Sequence, residues 1–222
     1  MEIITANEFE EKNNIEIVEK LMKMEGGYIT SKQLTELGIH RMYLKIMNNR
    51  GYIKKVGNGI YIEKNKTPDP YYILSLELPN VIFSHMTALY FHNLYPHKPK
   101  EKFDITVPNN YFNYKLKNYN VFYDGRDVHE IGLTNVETPM GNLVKTYDIE
   151  RCICDIIKSR KRLGIEKVIN CLHEYLNMRN KNLVKVYKYA ELLNIKKDVI
   201  QMIDIASSED NNENIKFREK NH

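Results

Sequence analysis

Glycine falls at positions 38, 51, 57 and 59, with the pair Gly26-Gly27 just upstream. Glycine in a helix interior costs roughly 0.5–1 kcal/mol relative to alanine. These breaks therefore cut residues 28–62 into pieces too short for a long helix or a broad sheet. Upstream, Ile15, Val18, Leu21 and Met22 recur at helical spacing and predict a first helix. Thr30-Ser31-Lys32-Gln33 has the form of a capping box, in which Thr30 and Gln33 satisfy each other's backbone amides. It predicts a second helix over 31–37, ended by Gly38. A third is expected over 40–49, ended at Gly51. Two β-prone runs follow, Tyr52–Val56 and Gly59–Ile62, joined at Gly57-Asn58 as a hairpin. Helix, tight turn, helix and a two-stranded wing is the winged helix-turn-helix arrangement.

At 100° per residue, Ile39, Met42, Tyr43, Leu44, Ile46 and Met47 fill one arc of the third helix. Arg41, Lys45, Asn48 and Asn49 fill the opposite arc, with His40 at its edge. Arg or Lys suits guanine, Asn suits adenine, and any of them suits phosphate, so this face has the chemistry of major-groove reading. Lys54 and Lys55 enter the hairpin and Asn58 stands at its tip, placed for flanking phosphates. Ser31 and Lys32 begin the second helix, where backbone amides favour an anion. Residues 28–66 carry eight Lys and Arg against Glu36 and Glu63. Lysines alone would suit any solvated face, or a winged helix used for protein contacts. The pattern makes duplex DNA the expected partner.

The 222-residue chain has a formal charge of +4 and is 42% apolar, enough for a sizeable core. The charge alternates along it. Residues 67–150 hold seven basic and ten acidic groups, and residues 151–200 hold twelve and five. Lys64–Pro70 is a linker by composition. Boundaries are expected at 1–66 for a DNA-binding domain, 67–207 for an α+β domain, and 208–222 for a mobile polar tail. In the second domain, helices are expected at 71–79 and from Ser84 to Pro96, with strands at 102–108 and 119–125 and one or two more over 128–141. Four further helices follow from Asp148. The fold class is α+β: a winged helix-turn-helix, then a mixed α/β domain ending in a helical bundle.

No stretch approaches the ~20 apolar residues of a membrane span, and the acidic start lacks the pattern of a secretion signal. A cytoplasmic protein is expected. Three cysteines are no disulfide framework, and Cys152, Cys154 and Cys171 suit core packing. His85 and His92 lie seven apart with no acidic residue between them, so neither a metal nor another cofactor is expected. No phosphate-binding loop, nucleophile elbow or Cys/His dyad stands in the sequence, and no catalytic residues are assigned. Asp148 is expected to cap a helix. Arg151 and Asp155 form an i,i+4 pair worth ~0.3–0.5 kcal/mol if exposed. Lys158, Arg160, Lys161 and Arg162 make a second basic surface, suited either to a polyanion or simply to the end of a helix.

The stretch from Leu34 to Ile62 resembles the N-terminal domain of AbiEi-type antitoxins. The matching positions are Gly38-Ile39, Leu44 and Met47, Gly51, Lys54-Lys55 and Gly59-Ile60-Tyr61. Further along, Ile82–Leu94 resembles that family's Ser-led helix. Thr146, Glu150, Arg151 and Asp155 resemble its Thr…Glu-Arg…Asp segment. The likeness spans most of residues 15–175. It implies the antitoxin of a type IV toxin–antitoxin pair tied to abortive phage infection. The first domain would repress the shared operon at inverted repeats. The second would counter a nucleotidyltransferase-like toxin without a stable complex. Two other classes fit a winged helix: a transcription factor whose second domain senses a small molecule, and a nucleic-acid-processing enzyme.

Overall fold

The computed structural model describes the backbone of residues 6–98 and 102–219, and the side chains of 10–98 and 102–208. The chain divides into two compact units, Met1–Pro79 and Asn80–His222.

The first unit opens with α1 (Ala6–Met24), β1 (Tyr28–Thr30) and α2 (Ser31–Glu36). α3 (Met42–Asn49), β2 (Ile53–Gly57), β3 (Ile60–Glu63) and α4 (Pro70–Glu77) follow. The strands form one antiparallel sheet in the order β1-β3-β2. This is the winged helix-turn-helix topology. The capping box forms as expected: the Gln33 backbone N–H donates to Thr30 Oγ1 at 3.2 Å, and the Thr30 backbone N–H donates to Gln33 Oε1 at 2.8 Å. Both α2 and α3 end in the same way. Gly38 and Gly51 take positive φ (72° and 73°). The next amide donates back to the third carbonyl from the helix end, Ile39 to Leu34 and Tyr52 to Met47. That is the Schellman stop, which only a residue tolerant of left-handed backbone forms without strain. Val18, Met22, Ile29, Leu34, Leu44, Met47 and Ile53 close the core between the helices and the sheet. Burying each such side chain contributes roughly 1.5–3 kcal/mol.

Two expectations need correction here. Lys64–Pro70 is not a free linker. Asp69 is buried, and its carboxylate caps α4 by accepting the Tyr71 and Tyr72 amides at 3.0 and 3.3 Å, with Pro70 at the first helical position. The helix expected near 71–79 does form, but it belongs to the first unit. Tyr72, Ile73 and Leu76 of α4 pack on Tyr28, Ile60 and Ile62, and the Asp69 amide donates to the Tyr28 hydroxyl at 2.9 Å. The boundary lies at Pro79, not at residue 66.

The second unit contains β4 (Ile82–Phe83), α5 (His85–Phe91), β5 (Asp104–Pro108), a 3₁₀ turn at Tyr114–Asn118, β6 (Asn120–Asp124) and α6 (Arg126–His129). Then come β7 (Leu133–Glu137), β8 (Leu143–Tyr147), α7 (Ile149–Lys158), α8 (Arg160–Leu163), α9 (Ile165–Asn177), α10 (Leu183–Leu192) and α11 (Lys196–Glu219). The sheet order is β6-β5-β4-β8-β7, with β4/β8 and β5/β6 parallel and the other pairs antiparallel. Residues from α5, α7, α9, α10 and α11 form one core, in which all three cysteines are buried. Burial pushes the Cys154 and Cys171 thiols up to about 12 and about 11. The fold is α+β. The helix expected from Asp148 through the basic block breaks at Ser159 into α7 and α8. The polar tail expected to be mobile continues α11 to Glu219, and residues 220–222 lie outside the described ones. No helix among the described residues is long and apolar enough to cross a membrane.

Candidate nucleic-acid interface

α3 turns Tyr43, Leu44 and Met47 into the core. Arg41, Lys45 and Asn49, spaced by four, form an exposed row along the other side. Arg41 lies in the turn before the helix rather than on it. His40 stands two residues ahead of the helix, and its Nδ1 accepts the Met42 amide at 3.2 Å, so it serves as a cap. Met42, expected on the apolar arc, is 48% exposed beside the cationic row.

Several expected contact residues are engaged within the unit. Asn48 is half-buried, and its Oδ1 accepts the Lys55 amide at 3.1 Å, fastening α3 to the wing. Ser31 donates its amide to Gly59 O at 2.7 Å and its hydroxyl to the same carbonyl at 3.3 Å. A Cβ on Gly59 would come within 2.9 Å of the Ser31 hydroxyl. Ser31 therefore secures the wing turn, and its amide is not free for an anion. Lys32 is exposed and lies 3.7 Å from Glu36. The wing turn is Asn58-Gly59, one residue later than expected, with Gly57 inside β2. The backbone N–H of the exposed Asn58 donates to Glu77 Oε1 at 3.1 Å, which brings a carboxylate against the wing tip. Lys54 and Lys55 are both exposed, but successive strand residues face opposite sides, so they do not act as one cation pair.

The second basic block is mostly consumed by its own unit. Lys158 pairs with Asp124 at 3.5 Å and Arg160 with Asp198 at 2.7 Å. Arg162 donates to Val121 O at 2.9 Å, with its guanidinium 4.1 Å from the Phe122 ring centroid. Lys161 is exposed. A continuous surface of four free cations is not what the fold presents.

The expected i,i+4 pair of Arg151 and Asp155 forms, but in the interior rather than on the surface. The Arg151 side chain is wholly buried. It pairs with Asp124 and with Asp155 (2.9 Å), and it donates to the carbonyls of Val128 and Ile131 at 2.7 and 2.8 Å. Burial pushes the Asp155 carboxyl up to about 6, against the pull of Arg151. Asp148 caps α7 as expected, accepting the Arg151 amide at 2.9 Å. It also pairs with Lys185 at 3.0 Å, and Lys185 reaches Glu150 at 3.2 Å. The residues that resemble the Thr…Glu-Arg…Asp segment are thus buried or half-buried framework. Nearby, His85 has φ +49° and lies between the hydroxyls of Ser84 (2.9 Å) and Ser159 (3.0 Å). Burial, with Arg151, Arg162 and Lys158 nearby, holds its imidazole well below the usual range. Among the described residues no group of three His, Cys, Asp or Glu is arranged to hold a metal ion.

Sequence reasoning missed Glu77, whose place at the wing tip is set by α4, and a basic cleft in the second unit. That cleft draws Lys98, Lys102 and Lys167 together with Arg162 from separate segments. No local pattern signals either.

No family model matches the chain, and no curated protein matches it. Among solved structures, the crystal structure of the RV2827C protein from Mycobacterium tuberculosis is similar over 85% of this chain and 79% of that one. The identity is 10% and the TM-score 0.46. A likeness this loose carries no argument about activity.

Proposed function

We propose that the first unit binds duplex DNA through α3 and that the chain is an autorepressor and the antitoxin of a type IV toxin–antitoxin pair. The observation that carries the DNA reading is the exposed row of Arg41, just ahead of α3, with Lys45 and Asn49 on α3, whose opposite side is locked into a winged-helix core. A rigid helix with cations and an amide at one-turn spacing suits base edges and phosphates together. The antitoxin part rests on the resemblance of residues 15–175 to AbiEi-type antitoxins. In this reading the second unit counters a nucleotidyltransferase-like toxin without forming a stable complex, and the protein works in the cytoplasm. A gel shift of the full chain on its own promoter, at two salt concentrations, tests DNA binding. The log–log slope should be roughly −0.9 per neutralised phosphate. Binding indifferent to salt, or equal on scrambled duplex, rejects it. Co-expression with the neighbouring gene tests the antitoxin part: growth should be restored by the full chain and not by residues 1–79.

A second reading, a transcription factor that senses a small molecule, is favoured by the cleft in the second unit.

A further inference from the structure

The cleft has a volume of about 620 Å³, within the ~300–1,000 Å³ of small-molecule sites. Its rim is cationic. Lys98, Lys102, Arg162 and Lys167 line it and are all exposed. Among the described residues none of the four is paired with a carboxylate, unlike Lys158 and Arg160 beside them. Two of them are held in place by neutral partners. Arg162 is fixed by Val121 O and the Phe122 ring, and Lys102 Nζ donates to Lys117 O at 3.2 Å. Like charges around one opening repel, and that cost is relieved when a polyanion sits among them. A single carboxylate or sulfate would use only part of such a rim.

The floor has a different character. Asp104 is buried there. Its Oδ1 accepts the Asn120 amide at 2.9 Å, and its Oδ2 accepts the Met86 backbone N–H at 3.1 Å. Each oxygen keeps a lone pair, so the floor rejects an anion and accepts a hydroxyl or amino donor. Burial raises the Asp104 carboxyl, while Arg162 and Lys167 act to lower it. Tyr95, Leu163 and Met86 supply apolar lining. A fitting ligand is polyanionic at one end, carries hydrogen-bond donors at the other, and has a body able to lie against apolar walls.

We propose that this cleft binds a nucleoside polyphosphate, with its phosphates among the rim lysines and Arg162 and its nucleoside directed at Asp104. The inference stands apart from the DNA-binding role of α3.

Calorimetric titration of the full chain with ATP, GTP, CTP and UTP in turn, and with adenosine and pyrophosphate, tests it without added divalent cation. At least one triphosphate should bind with Kd on the order of 10–100 μM. Adenosine and pyrophosphate should each bind at least about tenfold more weakly, because each supplies half of the match. Lys98→Glu with Lys167→Glu, both at exposed positions, should weaken the triphosphate about tenfold or more and leave the melting temperature unchanged. Arg41→Ala with Lys45→Ala should leave nucleotide affinity unaltered, which separates the cleft from α3. No binding of any triphosphate up to ~1 mM, a dissociation constant above the expected range, would overturn the proposal. So would pyrophosphate binding as tightly as the triphosphate, or unchanged affinity in the charge-reversed variant.

Discussion

The side-chain oxygen of Asn48 accepts the backbone N–H of Lys55 at 3.1 Å, so one bond ties the last turn of α3 to the first strand of the wing. Asn48→Ala removes it and should lower stability by about 0.5–1.5 kcal/mol, the usual worth of one hydrogen bond. If the first unit binds DNA, the loosened wing should weaken specific and random duplex alike. Urea unfolding and a two-probe gel shift measure both effects.

Arg41 and Lys45 are exposed. Arg41→Ala should change stability by less than ~0.5 kcal/mol, yet cost ~1–3 kcal/mol on the preferred site and flatten sequence preference. Lys45→Ala should lower the salt slope by about 1 where it meets phosphate. Equal losses on specific and scrambled DNA for Arg41→Ala would reject base reading by this row.

α4 covers Tyr28, Ile60 and Ile62. A fragment of residues 1–79 should therefore melt cooperatively. A fragment of residues 1–66 lacks Tyr72, Ile73 and Leu76 and should lose several kcal/mol of burial, at ~1.5–3 kcal/mol per large side chain. Thermal melting by circular dichroism compares them, and equal midpoints would contradict the packing role of α4.

Removing Arg151 strands Asp155 in the interior of the second unit and leaves Asp124 only Lys158, at 3.5 Å. Arg151→Ala should cost about 3–5 kcal/mol, the penalty for an uncompensated buried charge. A denaturant midpoint within error of the wild type would show that the cluster is not structural.

Asp155 also sets a pH dependence. Its carboxyl is pushed up to about 6 by burial, above the value near 3.9 of an unfolded chain. Between those values the folded state binds more protons. Stability from this group is therefore greatest below about pH 4 and is lost as pH rises through about 6. His85 acts in the opposite sense: its lowered value makes stability fall as pH drops below about 6.5. The comparison with Asp155→Asn isolates the first effect. The wild type should gain on the variant in melting temperature as pH falls from 7 to 5, and parallel curves would refute the assignment.

Much of the first unit was legible because its signals are local. The capping box at Thr30 and Gln33 and the stops at Gly38 and Gly51 each involve residues within five positions of one another. Pro68 and Pro70 misled, because a proline-rich stretch resembles a linker until Asp69 is seen to cap α4. In the second unit the partners are distant. Arg151 meets Asp124 from 27 residues away, and Arg160 meets Asp198 from 38. Nothing within a helical turn reveals that these cations are already spoken for. The polar arc of α3 was readable from its angles. That Asn48 faces the wing was not, since the wing's approach depends on the turn at Gly51.

The two-residue strand β4 joins the halves of its sheet by pairing Phe83 in parallel with Thr146, and the Thr146 hydroxyl donates to Phe83 O across 63 positions of chain. The ladders of the first unit reach no further than Tyr28 to Ile62. Loop closure and contact distance govern how soon a β-pairing can form. During synthesis, all residues of the first unit exist before Thr146 is added, while β4 lacks its parallel neighbour until β8 has been made. The winged helix can thus complete its own pairing as the nascent chain lengthens, while the apolar pair Ile82–Phe83, paired first with β5, waits for β8 to fill its other edge.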